Sequence, residues 1–163
     1  MKKWLALIHL FLIGVCFSQL QIDEVLKKYN DNSVQYVYSQ ELFKQKDIIY
    51  IDAREQKEFD VSHLENSIFV GFEKFSVQNF ESLKIKKDTK IVVYCSIGVR
   101  SEKIAKKIIS LGYTNISNLF GGIFLWKNNG GLVYDPSGKM TENVHAYSET
   151  WGQYLTSGIK VYN

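Results

Sequence analysis

Cysteine, histidine and proline are scarce in this chain, and each shortage closes off a class of explanation. Its 163 residues hold two cysteines, three histidines and one proline. Two cysteines are too few for a disulfide framework or a cysteine-rich zinc site, and the histidines have no metal-ligand spacing. One proline and 11 glycines leave no low-complexity tract, and no internal repeat is visible. Neither sign of charge dominates. The 20 Lys and Arg against 17 Asp and Glu give a net charge of +3, interleaved along the chain, so no basic block offers a nucleic-acid footprint. Long hydrophobic runs are also missing. The one extended stretch, Trp4 to Phe17, covers 14 residues, short of the roughly 20 that a bilayer span needs. What is present is a hydrophobic fraction of 45% and an aromatic fraction of 14%, enough for one domain with a conventional core.

That apolar stretch follows Lys2 and Lys3 and ends at Ser18-Gln19, the layout of a secretory signal peptide over residues 1–18. Export to the periplasm or the exterior is therefore expected, with no stable membrane span after processing. Two alternatives stay open: a lipid anchor through Cys16, since Ile13-Gly14-Val15-Cys16 loosely resembles a lipobox, and an uncleaved anchor. Cleavage after Ser18 removes two charges from the +3, leaving +1. It also removes Cys16, which makes Cys95 the only thiol. A lone thiol in an oxidising space is a liability unless it is buried or used.

Beyond the leader, residues 19–33 read as a helical segment, with Leu20, Ile22, Val25, Leu26 and Tyr29 at helical spacing. Residues 34–38, 47–52, 67–71, 90–94 and 116–120 read as short buried strands. Between them, 54–61 is a turn or two of helix, 73–83 is helical, and 101–111 is the clearest helix. In that helix Ile104, Ile108 and Leu111 are expected to face the core, and Glu102, Lys103, Lys106 and Lys107 water. Gly121-Gly122 opens a short helix containing Trp126. Alternation of this kind predicts an α/β fold, with a central, mostly parallel sheet of about five strands and helices on both faces. Residues 131–163 depart from the pattern: an extended piece and a turn, then an aromatic-rich segment with His145, Tyr147, Trp151 and Tyr154, then a last strand. Their aromatics predict that this extension packs on the domain.

In such sheets function collects at the carboxyl ends of strands. There the sequence reads Tyr94-Cys95-Ser96-Ile97-Gly98-Val99-Arg100-Ser101, between the strongest strand and the strongest helix. A loop curling into a helix N-terminus points several N–H groups at one place, and the helix dipole adds partial positive charge. Gly98 permits the curl, and Arg100 adds a full charge if it folds over the loop. All three favour thiolate over thiol at Cys95. Ser101 is open to a plainer reading as a helix N-cap.

These residues resemble the rhodanese-like domain family. Cys95 to Ser101 matches its Cys-x-x-Gly-x-Arg/Thr loop. Asp52-Ala53-Arg54-Glu55-Gln56-Lys57-Glu58-Phe59 is similar to its Asp-x-Arg-x-x-x-Glu-Phe/Tyr segment, and Ser62-His63-Leu64-Glu65-Asn66-Ser67-Ile68 to Gly-His-Ile-x-Gly-Ala-x. Leu119-Phe120-Gly121-Gly122 with Trp126 is similar to Leu-x-Gly-Gly followed by Trp. Order and spacing agree over residues 34–130. Ser62 and Asn66-Ser67 depart from the pattern beside a structural turn.

The resemblance implies sulfur transfer without a cofactor or metal. The Cys95 thiolate would take the sulfane sulfur of a small anionic donor such as thiosulfate, and pass it from a persulfide to a thiol, sulfite or cyanide. Cys95 would be the nucleophile, the amides of Ile97, Gly98, Val99, Arg100 and Ser101 the cradle, with Ser96 also in the binding loop, and Arg100 the attractor of the donor. Asp52 and Arg54 would brace the loop and His63 would be a packing residue; His145, outside the resemblance, reads as a packing residue because it is a lone histidine among aromatics. Four residues separate Cys95 from Arg100, a tighter ring than the Cys-x₅-Arg loop of phosphatases and suited to one sulfur atom. The alternative is a non-catalytic binding module that keeps the fold.

Overall fold

Short β-branched runs separated by amphipathic segments build a five-stranded, fully parallel sheet in the computed structural model, which describes residues 21–162. The expected leader and Cys16 lie outside the described residues. The strands are β1 (Tyr36–Val37), β2 (Ile49–Asp52), β3 (Ile68–Phe69), β4 (Ile91–Tyr94) and β5 (Ile116–Leu119), in the order β1-β5-β4-β2-β3. The two edge strands are the shortest and fall inside the longer runs expected at 34–38 and 67–71; each has a neighbour on one side only.

β4 lies at the centre of the sheet, and all four of its residues are buried, as an apolar strand covered on both faces must be. Alternation along it divides the core. Val92 and Tyr94 face a cluster with Leu119, Ile123, Phe124, Val133 and Val144. Ile91 and Val93 face another with Phe80, Ile104, Ala105, Ile108 and Tyr113. Helices thus cover both faces: α1 (21–29), α2 (Ser39–Leu42), α3 (Gln56–Val61), α4 (Val77–Ser82), α5 (Val99–Ser110), α6 (Gly122–Asn128) and, in the extension, α7 (Glu149–Gly152).

Three local expectations need correction. The helix expected over 73–83 begins only at Val77, because the Ser76 hydroxyl accepts from the Asn79 N–H and fixes the start there. Ser101 is not an N-cap: α5 starts at Val99 with Gly98 as its cap, and Ser101 sits inside the first turn. Glu102 does not face water. It is 1% exposed, with its carboxylate accepting from the Asp31 N–H at 3.1 Å and the Tyr36 hydroxyl at 3.3 Å. Burial is tolerated because neighbouring elements supply donors.

Residues after Gly131 enter the core. β6 (Val133–Tyr134) and β7 (Met140–Thr141) form a hairpin, and β8 (Asn143–His145) pairs in parallel with β9 (Ile159–Val161). Tyr134 exchanges two backbone hydrogen bonds with His63, both 2.9 Å. Val144, Ala146 and Leu155 are fully buried in the same cluster as Val92 and Tyr94.

Candidate active site

The carboxyl end of β4 is fixed before the cysteine loop begins. Asp52 stands opposite Tyr94 in the β2–β4 register. Its carboxylate accepts from the Arg54 N–H at 2.9 Å, Nε at 3.0 Å and Nη2 at 2.6 Å. Arg54 Nη2 also donates to the Ser62 carbonyl at 2.6 Å. Both side chains are fully buried, so they tie strand ends together and do not line the cleft beside Cys95. A charged pair so enclosed must satisfy itself internally. Arg54 Nη1 is left without a hydrogen-bond partner, its guanidinium carbon 5.6 Å from the Tyr94 ring centroid.

The loop then curls around the thiol. Gly98 adopts φ +114°, a region that side chains avoid, and a Cβ there would lie 3.3 Å from Leu26 Cδ2. This turn lets the Gly98 N–H donate to Cys95 Sγ at 3.1 Å. Its carbonyl is held by Asn118 Nδ2 at 2.8 Å and Asn30 Nδ2 at 3.0 Å. Asn118 Oδ1 accepts from the Ser101 hydroxyl at 2.7 Å, while that hydroxyl oxygen also lies 3.5 Å from Cys95 Sγ. One hydroxyl proton therefore has two acceptors within reach. From the other side, Ile123 and Phe124 at the start of α6 donate to the carbonyls of Cys95 and Ser96 at 2.9 and 3.1 Å. The approach is so close that a Cβ on Gly122 would stand 2.2 Å from the Cys95 carbonyl oxygen. Gly122 serves that contact, whereas a Cβ on Gly121 would meet the Leu125 side chain at 2.2 Å.

Arg100 is not the unattached cation that the loop sequence suggested. Its Nη1 and Nη2 donate to the two carboxylate oxygens of Glu58 at 2.6 and 2.7 Å, and Nη2 donates to Ser96 Oγ at 2.9 Å. Ser96 Oγ in turn donates to Glu58 Oε1 at 3.0 Å. Such a fork is the strongest geometry available to this pair. Burial alone would raise the Glu58 carboxyl, but the hydrogen bonds and charge of Arg100, with the charge of Arg54 and the Glu55 N–H, bring it down to about 2. Glu58 is the residue whose role the sequence reading missed. Its position in the Asp-x-Arg-x-x-x-Glu segment was the only signal.

For Cys95, burial pushes the thiol up. The Arg100 charge, the Ser101 hydroxyl and the Ser101 and Gly98 amides outweigh it, and the thiol sits below its ordinary value. The site thus stabilises negative charge on one sulfur atom. Cys95 is 1% exposed and lines a cleft of about 200 Å³ with Tyr29, Ile97, Val99, Arg100, Tyr147 and Trp151. Ser96 joins this lining, whereas Gly98 and Ser101 act from behind the sulfur.

The two described histidines do not line the cleft with the thiol. His63 stacks on Phe59 at 3.9 Å, and buried His145 accepts from the Tyr147 N–H at 3.0 Å. Among the described residues no group of three or more His, Cys, Asp or Glu side chains is placed to hold a metal, and no helix is long and apolar enough to cross a membrane.

The same region matches known proteins. The thiosulfate sulfurtransferase GlpE of Coxiella burnetii is 29% identical over 94 residues, covering 58% of this chain and 85% of that protein. A tRNA uridine(34) hydroxylase of Hamiltonella defensa is 34% identical over 143 residues, covering 76% of this chain but 39% of that protein. Of solved structures, a rhodanese-related protein from Thermoplasma volcanium superposes with a TM-score of 0.53 at 26% identity, covering 61% of this chain and 96% of the other. Thiosulfate sulfurtransferase from Pseudomonas aeruginosa shares the fold, with a TM-score of 0.57 at 17% identity and coverage of 85% and 26%. The profile of the rhodanese-like domain matches residues 33–129, a span that begins just before β1, ends just after α6 and contains Asp52, Arg54, Glu58 and the whole cysteine loop. By fold, by site and by this match over more than half its length, the chain belongs to the rhodanese-like domain family.

Proposed function

We propose that the protein is a sulfurtransferase working through a persulfide on Cys95. The observation that carries this reading is the cysteine itself: a buried thiol kept below its usual pKa, with the Gly98 N–H on its sulfur at 3.1 Å and one end open to a cleft. A merely structural cysteine has no need of that arrangement. In the first half-reaction the Cys95 thiolate attacks the sulfane sulfur of a donor such as thiosulfate. A Cys95–S–S⁻ persulfide forms, and sulfite leaves with the electron pair of the broken S–S bond. In the second, an acceptor (thiolate, sulfite or cyanide) attacks the outer sulfur, and the Cys95 thiolate is restored. The anion stays at nearly the same place throughout, so one fixed set of N–H groups serves both steps.

The test is to incubate the protein with a panel of sulfane donors and read the mass of the Cys95 peptide. A gain of about 32 Da, one sulfur atom, that is lost on adding cyanide is expected, with none in Cys95→Ala. Absence of that gain with every donor would instead support a binding module that keeps the fold. We further propose that the protein is exported, on the strength of Lys2, Lys3 and the apolar run ending at Ser18. The mature N-terminus, read by mass spectrometry from the native host, tests this; a chain starting at Met1 would defeat cleavage.

A further inference from the structure

One wall of the cleft is built by residues outside the 33–129 family match. Tyr29 comes from α1, and Tyr147 and Trp151 come from the C-terminal extension. Tyr29 and Trp151 meet edge to face, with centroids 6.3 Å apart. The Arg100 guanidinium carbon lies over the Tyr147 ring, 4.9 Å from its centroid, so the cation that Glu58 engages also meets an aromatic face. Tyr147 is held there at a cost. Its φ is +66°, a true outlier for a bulky side chain. Two contacts impose the bend: the Ser148 N–H donates to the Ala146 carbonyl at 2.8 Å, and the Tyr147 N–H donates to His145 Nδ1 at 3.0 Å. Strain of this kind persists where it aims a side chain at a site.

The chemistry of the lining follows. Among the described residues Arg100 is its only charged side chain, and Glu58 already engages both of its terminal nitrogens. Among the described residues no uncommitted cation lines the cleft to select sulfite over a thiol as the acceptor. Three aromatic rings with Ile97 and Val99 offer apolar surface instead. An apolar cavity of roughly 150 Å³ takes a benzene-sized guest, so a cleft of about 200 Å³ admits one ring or a short alkyl chain.

Resting on the sulfur transfer proposed above, we infer that Tyr29, Tyr147 and Trp151 form a slot for the organic body of the sulfur acceptor, a thiol carrying an aromatic ring or short alkyl group. The thiolate R–S⁻ attacks the outer sulfur of Cys95–S–S⁻. The S–S bond to Cys95 breaks with its electron pair remaining on Cys95, and R–S–S⁻ departs. Charge is conserved and no external oxidant or reductant is needed.

The experiment loads Cys95 with sulfur and follows discharge by phenylmethanethiol, 2-hydroxyethanethiol and cyanide. For phenylmethanethiol the half-saturating concentration is expected to lie at least about tenfold below that for 2-hydroxyethanethiol, the selectivity that burying one apolar ring supplies. Tyr29→Ala and Trp151→Ala should each collapse that ratio, and Ile109→Ala, on the far part of α5, should keep it. Tyr29 is 51% exposed, so its variant tests the slot even if loss of Trp151 unfolds the extension. Equal half-saturation for the two thiols, or a ratio unmoved in the Tyr29 variant, overturns the inference. If no donor loads Cys95, the sulfur-transfer reading fails by itself. The slot is then tested on Cys95→Ser with benzyl methyl thioether, an unreactive ring and sulfur. Chemical-shift changes confined to Tyr29, Tyr147 and Trp151 support a ring-binding slot, and their absence removes it.

Discussion

Replacing Glu58 by Gln separates the clamp on Arg100 from every other feature of the loop. The substitution keeps size and one hydrogen-bond acceptor but deletes the charge that meets both guanidinium nitrogens. Glu58 is fully buried and Arg100 is 15% exposed, so solvent screens the pair weakly. Its carboxyl falls from 4.5 to about 2 in the folded protein, and at 1.36 kcal/mol for each pKa unit that is about 3 kcal/mol of stability at neutral pH. Breaking a buried pair from one side costs a similar amount, roughly 3–5 kcal/mol. For a chain of this size such a loss lowers the melting temperature by roughly 6–12 °C. The sign of the pH dependence follows from the depressed pKa. The contribution is complete above about 4.5 and drains away as pH falls towards about 2. Urea unfolding of the two proteins at pH 7 and again at pH 3 checks both parts: a gap of about 3 kcal/mol that shrinks in acid. A gap under about 1 kcal/mol at pH 7, within the range of a surface ion pair, would refute the clamp. So would a gap that does not shrink in acid.

Two further substitutions probe the thiol directly. Ser101→Ala removes a hydroxyl 3.5 Å from Cys95 Sγ that favours the thiolate, so the pH profile of iodoacetamide alkylation should move to higher pH; an unshifted profile would show that the hydroxyl serves only Asn118. Gly98→Ala places a Cβ at φ +114° and 3.3 Å from Leu26, and is expected to cost about 1–3 kcal/mol in chemical denaturation and to slow alkylation by shifting the N–H that faces the sulfur; wild-type values for both would mean that the curl does not depend on glycine.

The parallel sheet was legible because every strand carries Val or Ile, most densely in β4, even though β5 also holds Ser117 and Asn118 and β2 ends in Asp52. The edges were blurred for a physical reason: β1 and β3 are ordered by one neighbour, so side-chain pattern outruns backbone pairing. Cys95 and Gly98 stood out in local order because the loop is a contiguous run, whereas the Ser101 hydroxyl beside the sulfur did not. Nor did Glu58, since its role depends on α3 bringing it to a residue 42 positions later. Glu102 was assigned to water because helical periodicity knows nothing of Asp31 and Tyr36, which come from outside the helix. The aromatics of the extension were visible as a docking signal. Where Tyr147 points depends on its backbone outlier, which composition does not encode.

The extension and the family portion are joined at the element that serves the site. Ser62, at the end of α3, donates its hydroxyl to the Asn143 carbonyl of β8 at 2.6 Å and gives its own carbonyl to Arg54. α3 carries Glu58, and the chain leaving β8 carries Tyr147 two residues beyond the strand. The two groups that meet Arg100, the Glu58 carboxylate and the Tyr147 ring, thus ride on elements bonded to each other. A shift of β8 against α3 would move the ring contact relative to the carboxylate contact, and Arg100 is one of the groups that keep the thiol low. Ser62 stands where the family pattern has a glycine, and a glycine has no hydroxyl to reach β8. This departure beside the turn thus bonds the added segment to the end of the helix that carries Glu58.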